Sequence, residues 1–401
     1  MIKRISVDYL QPGMYLSDLN RAWVPHNNIR NKGFLKNKNI IRSISNLGVA
    51  NVYIDTDKGL DSQYAKPVAD IDDAVDENMQ QQASYAPIYK PQISIEAEYE
   101  RADRIIEQAK KIVAHMLTDI ALNCVPRVDD LDFLAETMLD SLQRNQSALI
   151  CLGRIRHKDA YLLEHSINLG IIISIFGRYR NFSHQTVHNM MVGALLHDIG
   201  KVFIPDDVLK KTDKLSSNEE ELLQMHVVLG TEVLNKTPGI SDVAIQIQSQ
   251  HHERVDGTGY PEGKTGEEIS IFGKMAAIVD VFDAITADRV YHQSISPYAA
   301  MRKLIDWSDT HLDRGLVSDF IHCMGLYPVG TLVELDSKKL AVVIEVNEHL
   351  QELPKVRIIY STINDVYLPR RNLDLSKPLV QDRIIRAVDP LSYHLSVAEF
   401  L

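Results

Sequence analysis

The feature that most constrains this chain is a set of ionisable side chains placed inside otherwise apolar helical segments. His197 and Asp198 follow "VGALL", and Asp280 interrupts "AAIVDVFDA". His165 lies in "LLEHSINLGIIISIFG", His226 in "ELLQMHVVLG", and His251 and His252 close "SDVAIQIQSQHHE". An unpaired carboxylate in an apolar interior is very costly. One histidine alone on an apolar helix is more often a hydrogen-bonded core residue than a ligand. Seven such donors on five segments are a different matter, because shared burial needs a shared counter-charge. The chain must therefore fold so that separate helices deliver these groups to one interior point, held by metal.

Helical signals fill residues 150–322. "TVHNMMVGALLHDIG" reads as a helix stopped at Gly200. "SSNEEELLQMHVVLG" opens with Ser216 or Ser217 and Glu219 or Glu220 at capping-box spacing, and Ser296-Pro297 forms an N-cap and N1 pair. The reading is mainly α: an all-α helical bundle over 150–322, a small α+β domain over 1–58 and a small β-rich unit over 323–401. Between the first two lie a polar, acidic, proline-punctuated linker at 59–95 and connecting helices at 96–149. The first connecting helix carries an apolar stripe of Ala102, Ile105, Ile106, Ala109, Ile112, Val113 and Met116. Such a stripe can pair two subunits into a homodimer or pack onto the chain's own next domain, which is the more general behaviour of amphipathic helices. A second helix is expected over about Val128–Gln146.

At 401 residues the chain is too long for one ordinary core. The net charge of −11 argues against nucleic-acid polymers and anionic membranes as partners, though not against one compact phosphate ligand at a local metal cluster. Cys124, Cys151 and Cys323 are far apart and imply no disulfide framework or thiolate metal site. No apolar run spans a bilayer, and the start "MIKRISVDYLQPGM" has no signal-peptide core. A cytoplasmic location is expected.

Nitrogen and carboxylate donors without thiolate suit Fe or Mn best, with Ni, Co or Zn as alternatives. Seven donors exceed one coordination shell, so two cations sharing Asp198 is the economical reading; such a pair activates a bridging hydroxide for attack on a phosphodiester. Lys201 is placed either to offer a further cation to the phosphate or nucleophile, or to form a salt bridge to a ligand carboxylate. Glu253 is read as orienting a ligand imidazole.

Together, "HDIGK" (197–201), "HHERVDGTGYP" (251–261) and "DVFDAITADRVY" (280–291) resemble the motifs of HD-GYP phosphodiesterases, a branch of the HD-domain metallohydrolases. Residues 1–58, with "LQPGMYL" and "VYID", look like the small domain often found ahead of such domains. The resemblance implies an HD-type core, a two- or three-metal centre and hydrolysis of cyclic dinucleotides. It places metal on His165, His197, Asp198, His226, His251, His252 and Asp280. Tyr260, Asp283 and Arg289 resemble positions that hold the dinucleotide, by stacking, by accepting from guanine and by gripping phosphate. Members with three metals carry a glutamate four residues before the first histidine; here that residue is Tyr161, so two metals are expected. His292 stands where many members have a basic residue. The expected reaction is hydrolysis of cyclic di-GMP to linear pGpG, with GMP as the product of any second cut and cyclic GMP–AMP as alternative substrate. A catalytically silent cyclic-dinucleotide sensor is the alternative from another class. Signalling proteins that meet the GYP surface or the N-terminal domain are candidate partners.

Overall fold

The computed structural model describes residues 1–20, 32–45, 49–68, 90–122, 124, 126–155, 161–211, 213, 215–287, 294–308, 310–347 and 350–401. The chain forms two compact units, 1–79 with 210–220, and 80–209 with 221–401.

The smaller unit is built on a five-stranded antiparallel sheet. Its strands are β1 (Ile2–Ser6), β2 (Tyr15–Asp18), β3 (Gly33–Phe34), β4 (Asn51–Asp55) and β5 (Lys66–Pro67), in the order β3-β2-β4-β1-β5. Alternation drives it: Val52 and Ile54 of β4 are fully buried with Ile5 and Leu16, and Ile44 of helix α1 (Lys38–Ser45) joins the same core. The sheet runs past the boundary expected at residue 58, because Lys66 and Pro67 pair with Arg4 and Lys3. Residues 69–89 of the expected linker lie outside the described residues.

The larger unit is helical with one sheet. Helices α2 (Ile95–Ala121) and α3 (Val128–Gly153) form a long hairpin. Then come α4 (Tyr161–Tyr179), α5 (His184–Leu196), α6 (Asp206–Leu209), α7 (Ser217–Asn235), α8 (Asp242–Gln250), α9 (Ile271–Thr286), α10 (Pro297–Trp307) and α11 (Arg314–Met324). Serine hydroxyls open α2, α5, α8, α9 and α10, each accepting from the backbone N–H three residues on. The capping box resolves to Ser216 and Glu219, whose carboxylate accepts from Ser216 N at 2.7 Å. Among the described residues no helix is long and apolar enough to cross a membrane.

The α2 stripe is spent inside the chain. Ala102, Ile105, Ile106, Ala109, Val113 and Met116 are buried in one core with Leu131, Leu134, Ala135 and Met138 of α3. Helix α3 does not end near Gln146 as expected. It breaks at Asn145 (φ −160°, ψ 103°) and resumes to Gly153. There the Arg144 carbonyl accepts from Gln92 N at 2.8 Å, and the Asn145 amide donates to Ile93 O and to Glu345. A tertiary partner thus replaces the lost helical bond.

The C-terminal strands β6 (Leu332–Leu335), β7 (Lys339–Glu345), β8 (Lys355–Ser361), β9 (Val366–Asp374) and β10 (Ile384–Ala387) make an antiparallel sheet ordered β10-β6-β7-β8-β9. Its inner face is no separate core: Leu332, Leu340, Val342 and Ile344 join the core that holds α2 and α3. The Cys151 thiol of α3 donates to Ile344 O at 3.5 Å.

Candidate metal centre

Five helical elements converge where the sequence places its buried donors. His165 stands on α4, His226 on α7 and Asp280 on α9. Helix α5 ends at Leu196, earlier than the expected stop at Gly200. His197 is its C-cap, and Asp198 opens a 3₁₀ turn over Ile199–Phe203. Gly200 serves packing instead, because a Cβ there would lie 1.9 Å from His226 O and 2.7 Å from Gly230 N. Its missing side chain lets this turn lie directly on α7, which brings Asp198 to His226. His251 is the C-cap of α8, with His252 just past the helix end.

All seven expected ligands are buried and meet at one place, in two groups: Asp198, His226, His251 and His252, and His165, His197 and Asp280. Asp198 joins them. Its Oδ1 lies 3.4 Å from His226 Nε2 and 3.8 Å from His251 Nε2. Its Oδ2 lies 3.3 Å from His197 Nε2 and 3.9 Å from His165 Nε2. Asp280 bridges likewise, 3.0 Å from His165 and 3.7 Å from His252.

Three imidazoles are aimed by one device. The Nδ1–H of His197, His226 and His251 donates to the carbonyl three residues earlier, at 2.8, 2.7 and 2.7 Å. That leaves each Nε2 as a lone pair facing the interior. His226 Nε2, His251 Nε2 and Asp198 Oδ1 have no hydrogen-bond partner although fully buried. Buried polar atoms are normally paired. Three lone-pair atoms turned toward each other fit a cation.

Electrostatics keep Asp198, His226, His251 and His252 in ligand form. Burial holds the His226 imidazolium down to a pKa of about 4 and that of His251 to about 3. Burial, then the His251 charge, pushes His252 well below its usual value. Burial opposes the Asp198 anion, but His197 and Lys201 outweigh it and hold the carboxyl well below the usual range. His165 is raised instead: burial opposes its charge, and Asp280 and Asp283 overcome that.

Other expected roles shift. Asp283, expected as a substrate acid, is fully buried, and its Oδ2 lies 2.6 Å from His165 Nδ1. It orients that imidazole, and the amide of Asn168 donates to its other oxygen. Asn168 is not among the residues the motifs single out; its one signal is the three-residue spacing from His165 on the same helix face. Glu253 does not hold an imidazole. Its carboxylate accepts from the backbone N–H of Glu262 at 2.8 Å and Lys264 at 2.9 Å, and so ties down the GYP loop. Gly259 lets that loop close: a Cβ would sit 2.4 Å from Arg254 N. Lys201 donates to Asp198 Oδ2 at 2.5 Å, the salt-bridge alternative of its two readings. Tyr260 lies at the cluster, its ring centroid 4.7 Å from that of His252 and 6.3 Å from that of His226. Glu164 turns away to Lys110 of α2 at 3.1 Å. Arg289 and His292 lie outside the described residues.

Comparison with known proteins agrees with this geometry. The HD-domain family profile matches residues 151–316, and a domain of unknown function (DUF3391) matches residues 2–130. A cyclic di-GMP phosphodiesterase of Pseudomonas aeruginosa is 31% identical over 392 residues, covering 96% of this chain and 92% of its own length. A cyclic di-GMP phosphodiesterase of Borreliella burgdorferi is 27% identical over 199 residues, 50% of this chain and 52% of that protein. A 3′3′-cGAMP-specific phosphodiesterase of Vibrio cholerae is 41% identical over 123 residues, 30% of this chain and 24% of that protein. A likeness that runs nearly end to end, on a chain whose seven motif residues close around one interior point, makes this protein a member of the HD-GYP branch of the HD-domain phosphodiesterases.

Proposed function

We propose that this protein hydrolyses cyclic di-GMP to linear pGpG, with two divalent cations, iron or manganese, at the cluster. The observation that carries this reading is the set of orphaned lone pairs on Asp198, His226 and His251 beside Tyr260, in a chain alike from end to end to a cyclic di-GMP phosphodiesterase. Asp198 presents one oxygen to each group of imidazoles, the arrangement expected of a bridging ligand. Cations bound there supply Lewis acidity, which activates water near neutral pH and neutralises charge on the phosphoryl oxygens.

The chain's own residues do the rest. The backbone carbonyls behind His197, His226 and His251 fix the tautomer each presents. Asp283, braced by Asn168, holds His165 in register. The Lys201 ammonium balances Asp198. Tyr260 offers an aromatic face on which a purine can stack, and Glu253 keeps the loop carrying it in place.

The test is incubation of metal-loaded protein with cyclic di-GMP, followed by chromatography. Appearance of pGpG supports the reading, and unchanged substrate overturns it. The local likeness to a cGAMP-specific enzyme makes 3′3′-cGAMP the competitor to run beside it. Metal analysis of the central cluster that gave three ions instead of two would remove the two-metal assignment.

A further inference from the structure

Gln248 stands on α8, three residues before His251, and no motif singles it out. It is fully buried. A buried amide carries donors and an acceptor that the protein must answer. The backbone carbonyl of Gln248 accepts from His251 Nδ1 at 2.7 Å, the bond that aims that imidazole. Its side chain reaches α7. There Nε2 donates to Val227 O at 2.9 Å, and Oε1 accepts from Thr231 Oγ1 at 2.7 Å. The Val227 carbonyl can only accept, and this fixes which way round the amide sits.

The contact depends on a missing side chain. A Cβ on Gly230 would lie 2.3 Å from Gln248 Nε2, so glycine there lets the amide reach the α7 backbone. Val227 directly follows His226 in the chain. His226 and His251 belong to the same group of metal-type donors, and their ring centroids lie 5.7 Å apart. One residue therefore aims one of these imidazoles with its main chain and holds the helix of the other with its side chain. Apolar packing is non-directional, whereas these short bonds fix both the distance and the register of α8 on α7.

We propose that Gln248 is a positioning residue for the metal centre, a clamp that sets the separation of His226 and His251. The proposal rests on the cluster being a metal centre and not on the substrate it serves. The Gln248 amide is spent on Val227 and Thr231, so it acts through the two imidazoles and not on metal or substrate. Without the clamp each imidazole keeps its tautomer, because the carbonyls of Leu223 and Gln248 still hold them. What is lost is the fixed distance between their Nε2 atoms.

Gln248→Met keeps the length of the side chain and removes both of its hydrogen bonds, while Thr231 Oγ1, 2.8 Å from Val227 O, still answers that carbonyl. Metal-stripped full-length protein is titrated with manganese chloride against a chelator, and separately loaded with cobalt(II), whose visible absorption reports ligand geometry. Gln248→Met is expected to bind manganese about 10- to 100-fold more weakly than wild type and to alter the cobalt bands. Thr231→Val removes one of the two bonds and should weaken binding in the same sense, by less. Leu234→Ala is the control for a merely structural role: Leu234 is buried on α7 and its side chain makes no hydrogen bond, so this variant should lower the melting temperature yet bind manganese within twofold of wild type. In turnover, Gln248→Met should lower kcat with KM within twofold. Wild-type manganese affinity and cobalt spectrum in Gln248→Met, or a loss of affinity no larger than that of Leu234→Ala, overturn the assignment. The titration needs no substrate, so its failure is distinct from failure of the phosphodiesterase reading.

Discussion

Two of the places where the larger unit buries charge treat it in opposite ways. Between α2 and α3, Glu98 is fully buried on an apolar helix face. Its Oε1 accepts from Ser141 and from Arg144 Nη2, both at 2.8 Å, and its Oε2 from Arg144 Nε at 2.9 Å. Each oxygen of this carboxylate is answered by protein. At the central cluster Asp198 is equally buried, yet its Oδ1 and two imidazole Nε2 atoms are left unanswered. Both carboxyls are held below their usual range, so the shift alone does not separate them. What separates them is satisfaction. A buried group that serves the fold finds its partners inside the chain, whereas one that serves a ligand keeps a lone pair free.

The largest difference should appear on removing the central carboxylate. Asp198→Asn is expected to lower kcat/KM for cyclic di-GMP by more than about 100-fold, beyond the 10- to 100-fold typical of residues that only orient a ligand. In metal-free protein the same variant should lose stability in urea, since it removes the anion that answers the Lys201 ammonium. Turnover near wild type would end the comparison. Glu98→Gln should touch stability alone. It strands Arg144 and costs on the order of 3 kcal/mol of stability, read as a lower denaturation midpoint, while turnover per folded molecule stays within twofold.

Asp283 lies between these extremes, since it is satisfied by protein and also touches a ligand residue. Asp283→Asn should weaken metal binding by about 10- to 100-fold, measured by competition with a chelator. Asn168→Ala should do the same more weakly. An unchanged metal affinity with weakened substrate binding would return Asp283 to a substrate role.

The smallest effects lie in pH dependence, and there the two places titrate apart. In metal-free protein, His226 and His251 stay neutral down to about pH 4 and about pH 3, whereas unfolded histidines protonate near pH 6.5. The unfolded state therefore takes up more protons as pH falls below about 6.5, and stability drops from there. His252 adds to this, and the raised His165 opposes it. Bound metal should delay the drop. Glu98 acts lower. Its folded carboxyl is depressed, so its contribution is complete above the unfolded value of about 4.3 and is lost as pH falls through the folded one. Glu98→Gln should flatten that acid limb alone.

Much of this protein could be read along the chain because the signals are local. Five serine caps, the Ser216–Glu219 box and the apolar helix faces declare the helical block within a few residues of themselves. The donors could be read too, because a carboxylate after "VGALL" has no cheap local solution. Tertiary structure alone decided which buried groups answer one another. Asp283 reaches His165 across 118 residues, Glu253 turns to its own loop, Asn145 ends one helical run by bonding 200 residues away, and the last sheet shares the core of α2 and α3. Periodicity states that a side chain points inward but not what it meets there. Partnership depends on how helices cross, and that is settled by close approaches such as Gly200 on α7, where a missing side chain, not a chemical group, sets the distance.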